Sequence, residues 1–87
     1  MLIDVVQVKA LGGHRLWLAF EDGISGEIDL VGLIAFDGIF APLSDAEEFA
    51  RVRVDAELGT ITWPNGADLA PEMLYQHVVS QGRRLHS

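Results

Sequence analysis

Apolar and polar positions alternate through much of the first third of the chain, and glycine-containing runs divide the alternating stretches. Residues 3–9 read as a strand: Ile3, Val5, Val6 and Val8 are β-branched, with Asp4, Gln7 and Lys9 interleaved imperfectly. Gly12-Gly13-His14 interrupts it with residues that tolerate positive φ in a tight turn. Residues 15–20 follow as a second strand, with Leu16, Leu18 and Phe20 on one face. Trp17 and Ala19 occupy its other face, so both faces are expected to be covered at least in part. Glu21-Asp22-Gly23 carries the Asp-Gly hairpin signal. Residues 24–30 set Ile24, Gly26, Ile28 and Leu30 against Ser25, Glu27 and Asp29, a half-buried strand with a charged outer face. The first third is a three-stranded meander.

The pattern then turns irregular. Leu33, Ile34, Phe36, Ile39, Phe40 and Leu43 carry too much apolar bulk to be left in water. Asp37-Gly38 and Pro42 forbid one continuous helix, so a short helical turn and a buried crossover are expected. Ser44-Asp45-Ala46-Glu47 matches a capping box, with Ser44 accepting from the Glu47 amide and Glu47 reaching back. A two-turn helix over residues 45–50 follows, held by packing of Phe49. Residues 52–55 and 60–63 form a second hairpin, with Val52, Val54, Ile61 and Trp63 directed inward. Pro64-Asn65-Gly66 ends it in a turn. A last helix over residues 71–81 starts at Pro71, buries Leu74 and Val78 one turn apart, and stops at Gly82. Arg83 and Arg84 then lie just past its carboxyl end, where positive charge is favoured. The expected fold class is α+β in the order βββ-α-ββ-α: an antiparallel three-stranded meander and a second β-hairpin, with a short middle helix and a C-terminal helix. Residues 1–87 make a single domain.

Composition narrows the function classes. With 87 residues the core is small, and without cysteine the chain has neither disulfides nor thiolate metal sites. Thirteen acids against six bases give a net charge of −7, which argues against direct nucleic-acid binding. Asp4 interrupts the amino terminus, no signal-peptide pattern precedes it, and no apolar run is long enough to span a membrane. A cytoplasmic protein with no membrane association is expected.

Candidate chemistry is sparse. None of Ser25, Ser44, Ser80 or Ser87 lies in a nucleophile elbow, and His14, His77 and His86 have no metal-ligand spacing. Glu47/Glu48 and Glu21/Asp22 read as solvated faces rather than acid–base pairs. Gly12-Gly13 opens no phosphate-binding motif. No enzyme activity, cofactor or metal is therefore expected. The unusual residues cluster at Thr60-Ile61-Thr62-Trp63-Pro64-Asn65-Gly66-Ala67-Asp68. Trp63 is expected to plug the core rather than form a platform, although the Trp-Pro-Asn-Gly run has the composition of a docking site. Phe40, Trp63, Asn65 and Tyr75 are the candidate partner-binding residues.

Several of these runs carry a resemblance. Phe20-Glu21-Asp22-Gly23, Gly38-Ile39-Phe40-Ala41-Pro42-Leu43, Phe49 with Val52-Arg53-Val54-Asp55, and the stretch from Gly59 through Trp63-Pro64-Asn65-Gly66-Ala67-Asp68 and Ala70-Pro71-Glu72 to Leu74-Tyr75 are similar to the bacterial family catalogued as "domain of unknown function 2442". The resemblance implies a small α+β fold with no established enzyme activity and no known cofactor. It further implies proteins that occur alone or fused ahead of a helix-turn-helix domain, some beside small toxin-like proteins. Here the last helix is followed by no room for a DNA reader, so a regulatory role is expected to run through a protein partner or separate subunit. The leading expectation is a non-enzymatic interaction domain, an antitoxin-like acidic partner of a small basic protein. The alternative is a ligand-sensing or regulatory module of a transcription regulator lacking its own DNA-binding half.

Overall fold

The computed structural model describes the backbone of residues 3–85 and the side chains of residues 3–80. Strands β1 (Val5–Gly12), β2 (Arg15–Phe20) and β3 (Ser25–Asp29) form an antiparallel meander in the order β1-β2-β3. Val8 faces Leu18 and Leu16 faces Ile28 across the ladders, so the inward positions of the three strands stack into one apolar face. The imperfect alternation at Val5-Val6-Gln7 has a structural cause: the register slips between Val5 and Gln7, as a bulge requires. Gly12 and Gly13 take φ of 105° and 57°, which extends β1 three residues beyond the expected strand before the turn.

Chain crossover follows, through a 3₁₀ helix (Gly38–Ser44) and the single-turn helix α1 (Ala46–Phe49). Two expectations are corrected here. Ser44 does not cap α1: its hydroxyl donates to the Ala41 carbonyl at 2.9 Å, and Asp45 is the cap, its Oδ1 accepting from the Glu47 amide at 3.2 Å. The tight 3₁₀ turn holds Ser44 and moves the cap one residue on. Ile39 is half exposed rather than buried, because the same 3₁₀ helix turns Leu43 inward instead.

The hairpin β4 (Arg53–Asp55) and β5 (Thr60–Thr62) is turned by Asp55, whose Oδ1 accepts from the amides of Glu57 and Leu58. All of β5 is buried, and the Thr60 hydroxyl pairs with the Leu69 carbonyl. The hairpin joins the meander where the Val5 amide donates to the Gly59 carbonyl at 3.0 Å. Helix α2 (Pro71–Leu85) then lies on β3. Gly26 permits that approach, since a Cβ there would come within 2.9 Å of Val78 Cγ1. α2 does not stop at Gly82 but runs through it to Leu85, which places Arg83 and Arg84 within the helix. Glycine weakens a helix by about 1 kcal/mol relative to alanine, too little to end one alone.

The core draws on the meander, the crossover helices, β5 and α2. Leu16, Leu18, Phe20, Ile28, Phe49, Ile61, Trp63 and Leu74 are each at most 2% exposed. His14 serves it from the β1–β2 turn: its ring packs 4.8 Å from both Phe36 and Phe49, and its Nε2–H donates to the Leu43 carbonyl at 2.8 Å.

Candidate functional site

The four candidate residues do different things. Trp63 is 2% exposed, and its indole N–H donates to the Phe49 carbonyl at 2.9 Å while the rings of the two residues pack 5.6 Å apart. It is a core residue with a satisfied polar end and offers no surface to a partner. Asn65 sits exposed in the turn after β5, where Gly66 takes φ of 92°. Its Oδ1 accepts from the Ala67 amide at 3.1 Å, and its Nδ2 donates to the Ile39 carbonyl at 2.8 Å. That second bond ties the turn to the 3₁₀ helix, so Asn65 holds the half-buried Phe40 and the exposed Ile39 in place.

Tyr75 belongs to another group. It projects from α2 with its ring edge-on to Phe20, centroids 5.0 Å apart, and its hydroxyl donates to Asp22 Oδ2 at 2.7 Å. The β2–β3 turn presents Asp22 rigidly, because Oδ1 of the same carboxylate accepts from the Ile24 amide at 3.0 Å. Tyr75, Asp22, Ile3, Glu72 and Gln76 line an open notch of about 350 Å³. The hydroxyl bond, helped by the Ile24 amide, holds the Asp22 carboxyl below its usual range. The same bond, with some desolvation and the nearby negative charge, raises the Tyr75 phenol above its usual value. At neutral pH the notch thus carries an anionic Asp22 and a neutral phenol, with the Glu72 side chain and Ile3 beside them. Such a lining suits the head and stem of a basic side chain.

Tyr75 was legible as a candidate, but its partners were not. Asp22 lies 53 positions away, and its hairpin signal gave no hint of a second contact. Among the described residues, no group of three or more His, Asp or Glu side chains gathers as metal ligands would.

Fold and notch together define an α+β domain in which a meander and a hairpin share one core and a C-terminal helix supplies an aromatic, acid-flanked surface. Residues 5–80 match the model of the family described as "Protein of unknown function (DUF2442)", and the chain belongs to that family. No curated protein matches it. Among solved structures, the chain is similar to the "Putative DNA Binding Protein NE0471" of Nitrosomonas europaea, with a TM-score of 0.64 and 28% identity. The likeness covers 74% of this chain and 41% of that one, so the present chain spans less than half of the larger protein's length.

Proposed function

We propose that the domain is a non-enzymatic protein–protein interaction module of the cytoplasm, the acidic and antitoxin-like partner of a small basic protein. The observation that carries this reading is the Tyr75–Asp22 pair with Glu72 alongside, an aromatic and doubly acidic notch on a chain of net charge −7. Opposite charge steers such a partner in, and the notch fixes one of its Lys or Arg side chains. Among the described residues, no helix is long and apolar enough to cross a membrane. NMR titration with a short arginine-containing peptide tests the notch. Shifts should concentrate at Ile3, Asp22, Tyr75 and Gln76, and Tyr75→Ala should weaken binding several-fold while the spectrum stays folded. Shifts confined to other surfaces, or binding indifferent to Tyr75, would sink the assignment.

A second reading is favoured by one finding. The chain matches 41% of a longer protein whose name includes DNA binding. On that reading the domain is a ligand-sensing or regulatory module of a transcription regulator. A regulatory module should change the operator affinity of a DNA-reading domain when the two are combined, whereas the simple partner should not.

A further inference from the structure

The second tryptophan stands where no core needs it. Trp17 lies on the outer face of the meander, between Lys9 of β1 and Glu27 of β3 in register, and it is only partly covered. The core packs without it, whereas the inward-facing Val8, Val52 and Val54 are in contact with that core. Beside Trp17 an open groove of about 620 Å³ runs where β4 approaches β1, walled by Val6 and Lys9 on one side and by Val52, Arg53 and Val54 on the other. Val6 is 49% exposed.

Charge singles the groove out. Among the described residues two ion pairs form, Arg15 with Glu27 at 2.6 Å and Arg51 with Glu48 at 3.6 Å. Arg15 thereby offsets the carboxylate next to Trp17. Lys9 and Arg53 have no carboxylate within 4 Å among those residues, and both line the groove. On a strongly acidic chain, two uncommitted cations flank one aromatic and a strip of valines.

We propose that this groove docks a short extended acidic peptide segment of a protein partner. Lys9 and Arg53 meet its carboxylates, and Trp17 with the exposed Val6 covers an aliphatic side chain between them. The wall that β1 offers is about 13 Å long, which fits about four extended residues. A nucleic acid suits the site less well, because two cations cannot offset thirteen acids along a polyanion and valines offer nothing to a phosphate backbone. The groove does not share a residue with the Tyr75 notch, so each assignment stands or falls alone.

The test uses the isotope-labelled chain and three probes: a short peptide with Glu, Val and Glu at alternate positions and Ser between them, so that all three face one side, the same peptide with Lys for Glu, and an oligo-dT strand. The acidic peptide should shift the Trp17 indole and the amides of Lys9 and Arg53, and the lysine peptide should leave them unmoved. The double substitution Lys9→Glu and Arg53→Glu should weaken the acidic peptide about tenfold with an unchanged melting temperature, since both side chains are exposed. Trp17→Ala should also weaken it, and the charge variant decides the matter if that chain folds poorly. No response at Trp17, an equal response to both peptides, or occupation of the groove by oligo-dT instead would overturn the proposal.

Discussion

At the scale of the residue, the Tyr75–Asp22 bond makes a claim that one spectroscopic titration can check. Tyr75 is the chain's only tyrosine, so phenolate absorbance reports it alone. Its midpoint should lie above the ordinary value of about 10, and Asp22→Asn should bring it back down. The signs follow from linkage. A lowered Asp22 pKa means that its stabilisation is present above the ordinary carboxylate range and is lost as pH falls through the folded value. A raised Tyr75 pKa means that its stabilisation is present below about pH 10 and is lost as pH rises through the folded value. A phenol titrating at or below the ordinary value in the native chain would show that the bond does not form in solution. Trp63 teaches the complementary lesson about aromatic residues. Its sequence context looks like a docking motif, yet the Phe49 carbonyl supplies the one partner its indole N–H needs, and the ring stays in the core.

At the scale of the element, Gly26 sets how α2 lies on the sheet. Gly26→Val should overpack against Val78 and destabilise the domain by about 2 kcal/mol, measured by denaturant unfolding. Val78→Ala in the same chain should return part of that loss, a coupling of about 1 kcal/mol that strictly additive values would contradict. The meander was legible because its alternation and turn residues agree: Leu16, Leu18 and Phe20 are buried as their spacing requires, and Gly23 takes the φ of 90° that the Asp-Gly turn asks of it. The crossover was only partly legible. Its geometry depends on long-range bonds that no local pattern reveals, such as Asn65 to the Ile39 carbonyl and His14 to the Leu43 carbonyl. The misplaced cap has the same origin, since Ser44 and Asp45 are both good caps and the preceding 3₁₀ turn decides between them. At Gly82 the error was to let propensity alone end a helix.

At the scale of the whole molecule, charge and surface shape act together. Net charge brings a basic protein toward the domain at long range, but the site of contact is set by the few places where polar groups and aromatic rings coincide. Tyr75 marks one such place and Trp17 the other, on opposite charge backgrounds. The sequence identified the acidic balance and Tyr75, whereas pairing Trp17 with Lys9 and Arg53 needs the approach of β4 to β1. The most direct test of the interaction-module account is crosslinking in the native host from a photoreactive phenylalanine analogue at position 76, which lines the notch and leaves the Tyr75–Asp22 bond intact, followed by identification of the captured species. The account predicts a protein of net positive charge, with capture suppressed when Glu72→Lys is added and reduced several-fold as salt is raised through the physiological range in extracts. Capture of nucleic acid, or of an acidic protein indifferent to both salt and Glu72→Lys, would contradict it.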